Sequence, residues 1–190
     1  EILFASYFNA EDDLHKGNFG PNGKIDHDMS AWPITSEFKG KRPILGHTVL
    51  PYPKDAFPIT KRDIKHFPNV QDIRPFYWPT IFVFASSWAF EVAYSNTEKQ
   101  MFSQLAYNRD FEQKKFYTAL KIILIPAQHF KHIAEASIVH RYRQEQIINF
   151  YQSRQKTLYN ILISLKEFRL FIKNNVTLFH TLANEFRLYN

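Results

Sequence analysis

Glycine ends at Gly46 and proline nearly ends at Pro79: all five glycines precede residue 47, nine of the ten prolines lie between Pro21 and Pro79, and only Pro126 follows. Glycine supplies backbone conformations other residues avoid, and proline removes an amide donor and breaks helix interiors. Their partition therefore predicts a turn-rich first part, residues 1–79, and a helical second part, residues 80–190, in one mainly α (α+β) fold. Residues 1–10 read as the end of a helix. Residues 29–79 read as a long ordered loop region with one or two short helices.

From Thr80 the apolar periodicity predicts helices near 80–95, 98–107, 110–124, 127–139, a long one over 142–173, and a last one near 175–188. The long helix carries Ile147, Tyr151, Arg154, Leu158, Ile161, Leu165, Phe168 and Ile172 at alternating spacings of four and three, broken only by Arg154. Such a seam packs in a helical core, or else forms an exposed partner-binding face. Whether the part from about residue 142 belongs to the same lobe or extends it stays open. The most apolar run, Ile81 to Tyr94, is shorter than the ~20 residues a membrane helix requires and reads as a buried core helix.

A chain of 190 residues with 45% hydrophobic and 17% aromatic content can bury one core or form one lobe of a larger enzyme. There is no cysteine, which excludes disulfides, thiolate metal sites and cysteine nucleophiles. The formal charge of +6 favours anionic partners: nucleotide phosphates, acidic lipid headgroups or nucleic acid. No RNA- or DNA-binding signature accompanies it, so no nucleic-acid partner is expected. With no secretory leader or spanning segment legible, a cytosolic location is expected, and the absence of an initiator methionine suggests numbering that begins inside a larger protein.

Chemistry concentrates in Asp12–Asp28, DDLHKGNFGPNGKIDHD. Pro21-Asn22-Gly23 suits a three-residue hairpin loop, in which Gly20 would face Lys24, Phe19 would face Ile25 and Asn18 would face Asp26. A carboxamide and a carboxylate about 5 Å apart could share one hard cation such as Mg²⁺, which takes the rest of its shell from water and nucleotide phosphate. Asp13 could orient an attacking hydroxyl and accept its proton, with His15 and Lys16 near the transferred phosphoryl group. A transition-metal site using His15, His27, Asp26 and Asp28 for hydrolysis is an alternative.

D-L-H-K-G-N at Asp13–Asn18, followed by I-D at Ile25–Asp26, resembles the catalytic and metal-binding loops of atypical members of the kinase superfamily. Aminoglycoside and choline phosphotransferases carry D-L-H-x-G-N and then I-D; phosphoinositide 3- and 4-kinases carry D-R-H-x-x-N and then I-D-F-G. The wording is similar to divergent kinase domains of secreted bacterial effectors. The resemblance implies a kinase-like C-lobe with a short catalytic hairpin, ATP and Mg²⁺ as cofactors, Asp13 as base, Asn18 and Asp26 as metal ligands, and His15 at the γ-phosphate. Asp28 would add a further carboxylate at the metal. It also implies a small lobe outside this chain, without which this lobe would be inactive, and, in an effector, a place in the host cytosol or at its membrane surface. Two departures stand: a short hairpin between Asn18 and Asp26, and His27-Asp28 in place of an aromatic and glycine.

Past the motif, Ser36–His66 holds seven basic residues, Lys39, Lys41, Arg42, Lys54, Lys61, Arg62 and Lys65, against three acids. A basic segment beside a phosphoryl-transfer site could hold a phosphoinositide headgroup or an acidic membrane surface, with Lys39, Lys41, Arg42, Lys61 and Arg62 as substrate contacts. Its plainer reading is a solvated basic loop. Ile73–Thr80 reads as an aromatic plug, and His140, Arg141 and Arg143 as a solvated helix start. The expectation is a phosphoinositide kinase, the alternatives a non-catalytic kinase-like effector module binding a host protein or membrane and a metal-dependent phosphohydrolase.

Overall fold

Phe4, Tyr7 and Phe8 fall at i, i+3 and i+4 of α1 (Ile2–Phe8) and are all buried, so the first helix is held by one apolar face. The computed structural model describes residues 1–11, 19–20, 23–24, 30–31, 33–35, 42–44, 47–49, 57–70 and 96–187. Two compact units divide the chain, Ile2–Asn108 and Arg109–Asn190 together with Glu1. The division expected at Pro79–Thr80, the helix expected over 80–95 and the aromatic plug from Ile73 fall wholly or mainly within 71–95, outside the described residues.

In the first unit, α1 ends in a Schellman motif: Ala10 N–H donates to the Tyr7 carbonyl (3.1 Å) and Glu11 N–H to the Ser6 carbonyl (3.0 Å). Ala10 occupies the left-handed position at φ 49°, where glycine is usual. Four strands follow as two short antiparallel ladders, β1 (Phe19–Gly20) with β2 (Gly23–Lys24) and β3 (Arg42–Ile44) with β4 (His47–Val49). Then comes α2 (Lys61–His66), capped by the Thr60 hydroxyl, which accepts from Asp63 N–H at 3.1 Å. The helix stops at Phe67, before Pro68. The Phe67 ring lies 5.1 Å from Phe4, edge-on, and 5.6 Å from Tyr7, and the Tyr7 hydroxyl donates to the Pro58 carbonyl at 3.1 Å. That aromatic trio joins α1 to α2. α3 (Asn96–Leu105) starts two residues before the expected 98.

The second unit is all helix: α4 (Arg109–Leu124), α5 (Ala127–Ser137), α6 (Arg141–Ser164), α7 (Lys166–Asn174) and α8 (Val176–Arg187). α4 packs against α6, α7 and α8, and α5 lies along α6. Phe116 of α4 meets Phe168 and Phe171 of α7 with ring centroids 5.5 and 5.8 Å apart, above Leu120, Leu158 and Leu162 in the core. Glutamines of α6 satisfy carbonyls left open at neighbouring helix ends. Gln155 donates to both Ile122 (2.8 Å) and Ile125 (2.7 Å), and Gln144 to Ile138 (2.6 Å).

The single helix expected over 142–173 is corrected to two, because Leu165 leaves the helical path at φ −87°, ψ 124°. Neither glycine nor proline causes the break. Ser164 Oγ donates to the Ile161 carbonyl (2.7 Å), Arg169 donates from Nη1 to the Ile163 carbonyl (2.8 Å), and Leu165 itself turns into the core. Arg154, Leu158, Leu165 and Phe168 are buried as the periodicity requires, but Leu162 replaces Ile161 within α6, and past the break Phe171 replaces Ile172 in the core. The seam is core, and the Arg154 guanidinium lies 5.2 Å over the Phe150 ring.

Lys115 is 3% exposed on α4, with its ammonium 4.6 Å from the Phe116 ring centroid. Burial pulls it below the ordinary lysine value of 10.5, opposed by the charges of Glu112 and Glu167. With the folded value depressed, the unfolded chain binds more protons between that value and 10.5. Stability therefore rises with pH across that window, and the full penalty stands below it. Lys115→Met is expected to stabilise the protein at neutral pH by about 1 kcal/mol in urea denaturation. The gain should shrink as pH approaches 10.5, and a gain independent of pH would contradict this account. In the first unit, Tyr7→Phe should cost about 1 kcal/mol, the loss of its hydrogen bond to the partly buried Pro58 carbonyl.

Candidate functional site

Two hydrogen bonds close the chain around the motif. Ala31 N–H donates to the Asn9 carbonyl at 2.6 Å, and the Ser30 hydroxyl donates to Glu11 Oε2 across a separation of 19 residues. Glu11 is 1% exposed. The Schellman end of α1 thus delivers Glu11 to the base of a closed excursion whose returning limb begins at Ser30. Beyond it the Ala31 carbonyl accepts from Ile34 and Thr35 N–H, both at 2.9 Å, in a helical turn over residues 33–35 with Pro33 as its first residue. Ala31 is also left-handed, at φ 51°. Both ends of the excursion therefore rest on non-glycine residues in a conformation that costs about 1–2 kcal/mol each.

Asp13, His15, Lys16 and Asn18, and likewise Asp26 and Asp28, lie inside that excursion and outside the described residues, as do Lys39 and Lys41. Arg42 opens β3, paired with Val49. Lys61 and Arg62 form the first turn of α2, exposed together with Lys65 and His66, while Asp63 and Ile64 face inward. The aromatic trio packs this basic helix on α1, the helix that leads into the motif. Sequence reasoning found the basic residues and the helix before the motif but not Glu11 and Ser30. A buried carboxylate and a hydroxyl so far apart in sequence carry no local signal.

The hairpin register requires a correction. Expected was Gly20 opposite Lys24; observed are Gly20 opposite Gly23 and Phe19 opposite Lys24. The connection is the two residues Pro21 and Asn22, and Gly23 joins the ladder instead of bulging out of it. Proline second and glycine fourth in Gly20-Pro21-Asn22-Gly23 suit such a tight turn. A slip of one residue turns alternate side chains to the opposite face. The facing of Asn18 and Asp26 therefore does not follow from this ladder, although an amide and a carboxylate oxygen remain a donor set suited to Mg²⁺.

Among the described residues no group of three or more histidine, aspartate or glutamate side chains gathers as a metal site. In the second unit a cleft of about 330 Å³ lies between Leu124 and Pro126 on one side and Phe179 and Ala183 of α8 on the other, with His180 and Arg187 at its rim. No helix among the described residues is long and apolar enough to cross a membrane. Comparison with family models, with curated proteins and with solved structures finds no match to this chain.

The base of the excursion makes a direct prediction. A double-mutant cycle of Glu11→Gln and Ser30→Ala, read by urea denaturation, should return a coupling of about 1 kcal/mol, the strength of one hydrogen bond. Additive losses would mean that the pair does not hold the base.

Proposed function

We propose that the chain is the large-lobe part of an ATP- and Mg²⁺-dependent phosphotransferase whose acceptor is a phosphoinositide hydroxyl. The observation that carries this reading is the closed base. α1 ends at Phe8, four residues short of Asp13, and its exit is tied to Ser30–Ala31, so the chain that carries the DLHKGN and ID segments leaves and returns at one anchored base. A helix running straight into the catalytic loop is what the kinase resemblance calls for. The exposed cations Lys61, Arg62 and Lys65, on a helix packed against α1, support an anionic acceptor.

In this reading Asp13 orients the acceptor hydroxyl and takes its proton, while His15 and Lys16 balance charge on the moving phosphoryl group. Asn18 and Asp26 would hold the metal, with Asp28 near it. Mg²⁺, when bound, neutralises charge on the nucleotide phosphates. A second reading, a non-catalytic module that keeps the loop for binding, is favoured by the observed β1–β2 register, which does not set Asn18 opposite Asp26.

Full-length protein given radiolabelled ATP, Mg²⁺ and phosphoinositide vesicles should transfer label to lipid. Asp13→Ala and Asp26→Ala should each lower transfer by about a hundredfold or more. Transfer that survives both changes would remove the assignment. Absence of transfer by the unaltered protein, with nucleotide binding intact, would establish the second reading, and phosphoester turnover without nucleotide would point to a hydrolase.

A further inference from the structure

The chain's positive charge is concentrated in one place. Arg109–Asn190 holds thirteen Lys and Arg against six Asp and Glu, whereas the first 108 residues hold eleven against twelve. Within Gln146–Asn184 the contrast sharpens to Arg154, Lys156, Lys166, Arg169 and Lys173 against Glu167 alone. Arg154 is buried, but the other four cations are exposed on α6 and α7.

The same exposed residues alternate with apolar ones. On α6, Lys156, Tyr159 and Ile163 recur at spacings of three and four and fall on one helix face; on α7, Lys166, Leu170 and Lys173 do the same at four and three. Tyr159, Ile163 and Leu170 are 49%, 45% and 53% exposed, large apolar groups that the core has not taken. The Arg169 guanidinium donates to the Ile163 carbonyl at 2.8 Å on the solvent side, joining the end of α6 to the start of α7 across the break at Leu165.

Cations interleaved with half-exposed tyrosine, isoleucine and leucine form the pattern of an interfacial helix face: apolar groups enter the headgroup boundary while lysines meet lipid phosphates. An acidic protein partner would be met by the charges alone and would leave the apolar row unexplained. A nucleic acid would do the same.

We infer that the exposed α6–α7 face, with Lys156, Lys166, Arg169 and Lys173 interleaved with Tyr159, Ile163 and Leu170, docks the protein on an anionic lipid bilayer. The face belongs to the second unit, whereas the motif and α2 belong to the first, and docking requires no phosphoryl transfer. The two readings therefore fail independently.

The test is co-sedimentation of the full chain, without nucleotide, with vesicles of phosphatidylcholine alone or containing about one-third phosphatidylserine. The protein should partition onto the anionic vesicles and not the neutral ones, and release as salt rises. Each cation at the surface contributes about fivefold, so Lys166→Glu with Lys173→Glu should weaken partitioning by more than about twentyfold. Ile163→Ser with Leu170→Ser should also weaken it, at unchanged charge. Lys131→Glu with Arg141→Glu, exposed cations elsewhere in the unit that already pair with Glu135 and Glu145, serves as the control and should have a much smaller effect. All six positions are solvent-exposed, and circular dichroism verifies that each variant keeps its helices. Equal binding to neutral vesicles, or a control as damaging as the α7 reversal, would overturn the proposal. So would tighter capture of single-stranded RNA than of anionic vesicles that is lost in the α7 reversal.

Discussion

The Ala31 N–H bond to the Asn9 carbonyl, with the Ser30–Glu11 bond beside it, is the constraint on which the functional account of this protein rests. Closing about twenty residues of chain costs on the order of 3 kcal/mol in entropy. The two hydrogen bonds, at about 1 kcal/mol each, return most of it. The left-handed Ala10 and Ala31 add about 2–4 kcal/mol of local cost, of the order contributed by burying Tyr7 and Phe8 on α1. The base therefore stays closed because α1 is packed, and α1 is packed because Phe67 lies against Phe4 and Tyr7.

The helical unit solves a different problem. Five helices joined by very short connections leave carbonyls open at their ends. At the α4–α5 and α5–α6 connections Gln155 and Gln144 of α6 take the place of glycine caps, and Arg169 and Asn175 reach carbonyls at the next two. The break at Leu165 belongs to the same economy. It places Phe168 and Phe171 over Phe116 and leaves the opposite side of α7 to Lys166, Leu170 and Lys173.

Much of this was legible residue by residue. Pro126 and the apolar spacing located α4, α5 and α8 to within about two residues, and the Leu158–Phe168 seam was recognisable as core from its period. Three features were not. Pro21-Asn22-Gly23 serves a two-residue connection as well as a three-residue one, so turn chemistry left the register open. The α6–α7 break comes from Ser164, Arg169 and the burial of Leu165, none of which is a helix breaker by type. The Glu11–Ser30 pair depends on a fold that brings two distant residues together. For the candidate site, residue types and spacing supplied the expected chemistry, and the structure supplied the anchored base and the basic helix packed on α1.

The central proposal is that Asp12–Met29 handles nucleotide, and hydrogen–deuterium exchange of the full-length protein with and without Mg²⁺ and a non-hydrolysable ATP analogue tests it most directly. The account predicts slowed exchange in peptides covering Asp12–Met29, with the Ala31 amide protected in both states. Unchanged exchange across that segment on saturating nucleotide, or an Ala31 amide that exchanges as fast as an open loop, would contradict it.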